Sequence, residues 1–113
     1  MRNLTKAIKT WFAIRKANKE LTAAILEAEE MYKTYNKRYY VIADSKNMLR
    51  VFSWSQLKRL KKQGLFSPHV KENDFISESF YFTPSRIDQM YMKPETKEKK
   101  RKMWIEYYKA YRM

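Results

Sequence analysis

The sequence predicts an α+β domain with a long N-terminal helix, a small antiparallel sheet of about three strands, a short middle helix and a C-terminal helix. Three observations predict this class. A helical period without Gly or Pro runs from residue 3 to about residue 35. Short segments rich in β-branched and aromatic residues follow it. Pro94 then precedes a last helical segment. The 113 residues fit one domain, divided into a long helix at 1–36, a core of two strands, a helix and a strand at 37–84, and a basic and aromatic helix at 94–113.

The N-terminal helix is predicted from a stripe of mostly apolar residues that recur at alternating spacings of four and three. Such a stripe indicates either a helix packed on its own domain or one that also pairs with a partner or a second copy through residues 4–35. The basic first half and the acidic second half both oppose the helix macrodipole, which suggests that the cations serve an external anion. The stripe consists of Ile14, Asn18, Leu21, Ile25, Ala28, Tyr32 and Tyr35, extended upstream by Leu4, Ile8 and Trp11.

The middle of the chain predicts a β-hairpin and a third strand. Residues 38–43 and 48–52 are rich in strand-forming side chains, and the turn cluster at 44–47 separates them. Residues 79–83 have the same character, and Pro84 ends them. A small antiparallel sheet follows from these segments.

The helices of the middle and of the C-terminus are predicted from their ends. Ser53 and Gln56 match a capping box, and the helix that runs to Gln63 stops at Gly64, the only glycine of the chain. A short helix at 73–77, a helical turn within 84–93 and a helix from about 95 to 111 complete the prediction.

Composition favours a polyanion as partner. Lys and Arg number 25 against 12 Asp and Glu, which gives a net charge of +13. Improved solubility, or the Lys-rich codon usage of an AT-rich genome, explains the same numbers. The chain has no Cys, which suits a reducing cytoplasm, and no apolar stretch approaches the roughly 18 residues of a membrane span. We therefore expect RNA or a ribonucleoprotein as partner, DNA as an alternative, and no membrane.

The sequence has few residues in patterns that catalysis requires, so we expect no enzyme and no cofactor. His69 is the only histidine and follows Pro68 in a predicted loop, and a single Gly excludes a glycine-rich phosphate loop. The carboxylates are scattered over turns and helix starts, where capping roles are ordinary, rather than clustered for a metal-dependent nuclease. They are Asp44, Glu72, Asp74, Glu78 and Asp88.

Three basic sets carry the functional prediction, because each Lys or Arg that meets a phosphate releases counterions. The bland interpretation of any one set is a solvated helix face. The middle-helix set is Lys58, Arg59, Lys61 and Lys62; the C-terminal set is Lys97, Lys99, Lys100, Arg101 and Lys102; the N-terminal set is Lys6, Lys9, Arg15, Lys16 and Lys19. All residues of these sets except Lys6, Lys19 and Lys97 are predicted to contact the partner.

Aromatic residues make up 16% of the chain, so base stacking is considered beside the phosphate contacts. A core role is favoured for each candidate, because a small sheet covered by helices needs large apolar groups. The candidates are Tyr39, Trp54, Trp104, Tyr107 and Tyr108.

The middle of the chain carries a pattern of four short segments. They are RYYVI at 38–42, LRV at 49–51, LKRLKKQG at 57–64 and SFYFTP at 79–84. This pattern resembles small proteins of phages and mobile elements in Bacteroidota, and it leaves the two flanking helices outside. The composition also resembles an anti-CRISPR protein directed at a type VI-B RNA-guided RNA nuclease, although no site residue carries over from it.

The resemblance implies a stoichiometric, non-enzymatic inhibitor in the cytoplasm of a bacterial host cell, which engages the nuclease or its guide RNA. Two alternatives stay open. One is an autonomous RNA- or DNA-binding phage regulator. The other is a virion or scaffold protein that oligomerises through the long helix.

Overall fold

The structure, a computed structural model, confirms the α+β class. It describes residues 2–85 and 90–113, with side chains from Lys6 onward. The elements in chain order are α1 Arg2–Tyr35, β1 Tyr39–Ala43, β2 Leu49–Ser53, α2 Trp54–Lys62, α3 Glu72–Glu78, β3 Tyr81–Phe82 and α4 Pro94–Tyr111. Residues 86–89, which include Asp88 and part of the predicted helical turn, lie outside the described residues.

The three strands form an antiparallel sheet in the order β2-β1-β3. The predicted hairpin is present, with Tyr39 opposite Ser53, and its turn is closed by Asp44, whose carboxylate accepts the backbone N–H of Lys46 at 2.8 Å. Strand β3 is shorter than predicted. Tyr81 lies opposite Val41 and Phe82 opposite Tyr40, and the backbone N–H groups of the flanking Phe80 and Thr83 donate to the carbonyls of Val41 and Tyr39.

Helices cover both faces of the sheet, as the alternation of side chains along a strand requires. On one face, Tyr39 and Val41 belong to the core that packs against α1 and α4. On the other face, Tyr40 packs with Leu57 of α2 and Phe75 of α3. Helices α1 and α4 thus cover one face and α2 and α3 the other, and α4 also contacts the end of α3, where the Lys100 ammonium donates to the Ile76 carbonyl.

Helices α1 and α4 pack on each other and are joined by polar contacts. The indole nitrogen of Trp104 donates a hydrogen bond to the carbonyl of Ala17 at 2.8 Å. The Arg112 guanidinium forms an ion pair with Glu20 at 2.7 Å, with both side chains half-buried. These contacts fix the rotation of α1 about its own axis.

The stripe predicted for α1 is only partly the buried face. Its core is formed by Ala17, Leu21, Ala24 and Ala28, and Ala13 is the first of the described α1 side chains that packs against it. A spacing that averages 3.5 residues drifts by about 20° per heptad relative to a helix of 3.6 residues per turn. Over four heptads, this drift carries the upstream end of the stripe off the buried face. Ile8 and Trp11 are consequently exposed, whereas Tyr35 is in line with Ala17 and is exposed at the end of the helix.

The N-terminal arm, defined here as residues 2–12 of α1, therefore precedes the part of the helix that packs on the domain. A helix of 34 residues is about 51 Å long at a rise of 1.5 Å per residue. The longest dimension of the molecule is 54 Å. Helix α1 thus spans the molecule, and only its last two thirds contribute to the core.

The ends of α2 follow the predicted signals. The Ser53 hydroxyl accepts the backbone N–H of Gln56, and the Gln56 side chain accepts the backbone N–H of Ser53 at 2.8 Å. Gly64 follows the helix with a φ of +83°, in the left-handed region that favours glycine. Leu57 is fully buried and Leu60 half-buried, which directs the charged face of α2 outward.

Candidate nucleic-acid interface

Helix α2 presents a compact cationic surface to solvent. Lys58, Arg59 and Lys62 are exposed and share the outward arc of the helix, since they are one, three and four residues apart. We call these residues the α2 cation surface. The nine residues of α2 include no acid, and within the described parts of the chain no carboxylate pairs with these side chains. Their charge is therefore available to an external anion.

Lys61, predicted with this set, has a different environment. Its ammonium donates a hydrogen bond of 2.7 Å to the carbonyl of Val70, and the residue is half-buried. This bond ties the end of α2 to the loop that precedes α3. Lys61 therefore supports the scaffold beneath the α2 cation surface.

Acidic residues of α4 lie near its exposed lysines, and the ion pairs that these acids form are with Arg101 and Lys109. Lys99 and Lys102 are exposed, but Glu95 and Glu98 precede them by four residues and Glu106 follows Lys102 by four. Opposite charges at this spacing are neighbours on a helix surface. The outward face of α4 is consequently mixed in charge, and it attracts an anion less than α2 does.

The groove beside this face has the same mixed character. A cavity of about 770 Å³ lies between α4 and the end of β1, with Phe75 and Phe80 among its apolar lining residues. Lys99 and Lys102 border it together with Glu78 and Glu106. Such a rim does not favour phosphate.

Arg101 is committed to contacts within the domain. Its Nε donates to the Glu98 carboxylate at 2.9 Å, and a guanidinium nitrogen donates to the Asn18 side chain at 3.2 Å. The same guanidinium lowers the pKa of Glu98. Arg101 thus links α4 to α1 and has few donors left for a partner.

Lys100 corrects the prediction of a surface contact. Its side chain is 4% exposed, and its ammonium donates to the carbonyls of Ile76 at 2.8 Å, Ser77 at 3.2 Å and Ser79 at 2.6 Å. The carbonyls at the end of α3 lack partners within that helix, which makes them good acceptors. Lys100 therefore cannot reach a phosphate without leaving the core.

The N-terminal set lies on the part of α1 that is most open. Lys9, Arg15 and Lys16 are exposed, as are Lys6 and Lys19. No acidic residue precedes Glu20 in the sequence. This set therefore forms a second cationic surface, on the opposite side of the sheet from α2.

Most aromatic candidates belong to the core. Trp104, Tyr108 and Tyr39 are buried, while Tyr107 and Trp54 are half-buried against other rings. The core interpretation holds for these positions.

One exposed pair of aromatic residues in the described part of the chain is not among the stacking candidates predicted from the sequence. Trp11 and Phe12 are 55% and 57% exposed, and their ring centroids lie 4.9 Å apart. Drawing α1 as a helix of 3.6 residues per turn places Trp11 and Phe12 away from Ala17 and Leu21. This helical projection indicates that the two rings lie off the buried face, which the heptad-spaced stripe does not show.

His69, Glu72 and Asp74, which were considered for catalysis, lie in a turn or accept hydrogen bonds within the domain. His69 is exposed in a turn after Pro68, as predicted. Glu72 accepts the Tyr40 hydroxyl at 2.8 Å, and Asp74 accepts the backbone N–H of Lys71 at 2.8 Å. Within residues 2–85 and 90–113, no three His, Asp or Glu side chains gather where they could hold a metal ion.

Comparison with protein-family models, curated proteins and solved structures finds no match for this chain. Among the described helices, none combines the length and the apolar character that crossing a membrane requires.

Proposed function

We propose that this chain is a non-enzymatic binding protein for RNA or an RNA-loaded protein, with the α2 cation surface as a principal contact. The observation that carries the proposal is the exposure of Lys58, Arg59 and Lys62 on a helix without acidic residues. A helix face with several cations and no carboxylate partner is suited to a phosphate backbone, because each contact releases a condensed counterion.

The arrangement of the helix supports a preorganised surface. The capping box fixes the start of α2, and the bond from Lys61 to Val70 fixes its end. Trp54 packs on Phe75 with ring centroids 5.8 Å apart, so the base of the helix is anchored on α3. Because the backbone of α2 is already ordered, binding through the three cations costs little backbone conformational entropy.

A more specific form of the proposal follows from the resemblance to anti-CRISPR proteins. In this form, the target is a type VI-B RNA-guided RNA nuclease, and the chain inhibits it stoichiometrically by contacting the guide RNA or its surroundings. The α2 cation surface and the cations of the N-terminal arm would then face the nucleoprotein from two sides of the sheet.

The general proposal is tested by fluorescence anisotropy with labelled single-stranded RNA at salt concentrations between about 50 and 200 mM. The variant Lys58→Gln/Arg59→Gln/Lys62→Gln removes the α2 cation surface. We expect weaker binding and a slope of log K against log[salt] that is shallower by about two, at roughly 0.7 per lost phosphate contact.

The matched control is Lys97→Gln/Lys99→Gln/Lys102→Gln on α4, which removes the same charge from a face that also carries acids. We expect a clearly smaller change for it. Equal losses in the two variants would show that net charge alone governs binding, and absence of RNA binding by the wild-type chain and of any complex with an RNA-loaded nuclease would refute the proposal.

The specific form is tested by titrating the chain into the nuclease loaded with its guide RNA and measuring cleavage of a target RNA. Loss of cleavage at one chain per nuclease, restored with the α2 variant, is the expected result. Tight binding to naked RNA without effect on the nuclease would favour the autonomous regulator instead.

A further inference from the structure

We propose that Trp11 and Phe12 form a stacking platform for unpaired bases, which makes single-stranded rather than duplex RNA the preferred ligand. This inference rests on the proposed RNA-binding function and adds a site that involves no residue of α2. It concerns the boundary between the N-terminal arm and the packed part of α1.

The geometry of the two rings suits this role. They are more than half exposed, and their planes meet at 71° in an edge-to-face arrangement with centroids 4.9 Å apart. Each ring holds the other in place, while solvent reaches both. A base that is already unpaired can stack on such a ring, whereas a base in a duplex is covered by its neighbours.

Exposed cations lie next to the two rings, on the following turns of the helix. The Arg15 guanidinium lies 5.4 Å from the centroid of the Trp11 ring, and Lys16 and Lys19 are exposed within the next turn. Single-strand binding sites combine these two elements, aromatic rings for the bases and cations for the backbone. A planar guanidinium beside an aromatic ring can also stack on the base itself.

Two other occupants of this surface are less favoured. A second copy would bring two arms together that each carry several Lys and Arg and no acid before Glu20, so like charges would oppose pairing. An anionic bilayer would attract the cations, but Arg15 lies over Trp11 in the middle of the exposed aromatic face. Charge and rings therefore share one face, whereas a helix that lies in a membrane interface separates its cations from its apolar face.

The test compares single-stranded and duplex RNA of the same sequence in the full chain. Trp11→Ala/Phe12→Ala is expected to weaken single-strand binding at least tenfold, since stacking contributes roughly 1–3 kcal/mol per base and 1.4 kcal/mol is tenfold. Duplex binding and the salt dependence of single-strand binding should not change, because no cation is removed. Trp11→Tyr, which keeps a ring, should retain most of the affinity.

Tyr35→Ala/Tyr111→Ala is the matched control, since both residues are exposed and lie outside the arm. Circular dichroism verifies that α1 stays helical in each variant. An equal loss for duplex and single strand, no loss for the Trp11/Phe12 variant, or cosedimentation with phosphatidylserine vesicles that this variant abolishes while RNA binding persists would overturn the inference.

These outcomes are distinguishable from failure of the proposed function. If the α2 variant loses RNA affinity while the Trp11/Phe12 variant does not, only the stacking site is wrong. If the wild-type chain binds neither RNA nor an RNA-loaded nuclease, the proposed function itself fails.

Discussion

The ammonium of Lys100 donates a hydrogen bond of 2.6 Å to the backbone carbonyl of Ser79, inside the core of the domain. Two further carbonyls at the end of α3, those of Ile76 and Ser77, accept from the same nitrogen. One side chain of α4 thus donates hydrogen bonds to backbone carbonyls at the end of α3 and in the segment just before β3. This lysine is a structural residue within a segment of otherwise exposed charges.

Replacing Lys100 by Met should destabilise the fold without weakening RNA binding by the folded chain. The three carbonyls lose their donor, and a buried polar group left without a partner costs about 1–3 kcal/mol. We expect a net loss of that size in urea unfolding, because relief of the desolvated charge offsets part of the lost bonds. Lys99→Met, at the exposed neighbouring position, should change stability by less than about 0.5 kcal/mol. Equal effects at both positions would contradict the structural role of Lys100.

The stability of the chain should rise between about pH 8 and 10 and fall above it. Burial lowers the pKa of Lys100 to about 8, from an ordinary value of 10.5. Across this window the unfolded lysine holds a proton that the folded one has released, so stability rises with pH. Burial raises the pKa of Tyr40 and Tyr81, with Glu72 and Glu29 adding to the effect. Their unfolded forms lose protons first, so stability falls above pH 10.

Urea unfolding across the alkaline range measures this profile. The expected rise is on the order of 1–2 kcal/mol. Lys100→Met should lack the part of the rise that this residue contributes, whereas the fall at higher pH should remain. If Lys100→Met shows a rise in stability of the same size, the rise comes from the loss of general charge repulsion and not from Lys100.

The elements that could be predicted from the sequence depend on neighbours in the chain. The capping box of Ser53 and Gln56 and the left-handed Gly64 each involve a few consecutive residues, so their signals identify the ends of α2 directly. The turn closed by Asp44 is local in the same way. These features placed α2, and with it the α2 cation surface, close to where the structure has them.

What could not be predicted depends on contacts between distant segments. Helical spacing places Lys100 on the face of Trp104, four residues later, but only the packing of α4 on α3 shows that the carbonyls of Ile76 and Ser77 accept hydrogen bonds from its ammonium. The rotation of α1 is likewise fixed by Trp104 and Arg112 of α4, far along the chain. The exposed position of Trp11 follows from that rotation, and so does the stacking site.

The contact between α1 and α4 gives a direct test of how the arm is oriented. Trp104 is fully buried, packs edge-to-face on Phe80 at 5.1 Å and donates its indole N–H to the Ala17 carbonyl. Trp104→Phe removes this bond and leaves a small cavity, so we expect a loss of about 2–3 kcal/mol. Trp11→Phe, on the exposed arm, should cost less than about 0.5 kcal/mol.

Urea midpoints at unchanged m-value report both losses. Because Trp104 helps to set the rotation of α1, its substitution should also reduce any preference for single-stranded over duplex RNA that depends on Trp11. A Trp104→Phe variant as stable as the wild-type chain would show that the helix pair is held by apolar packing alone, and that the indole bond does not orient the arm.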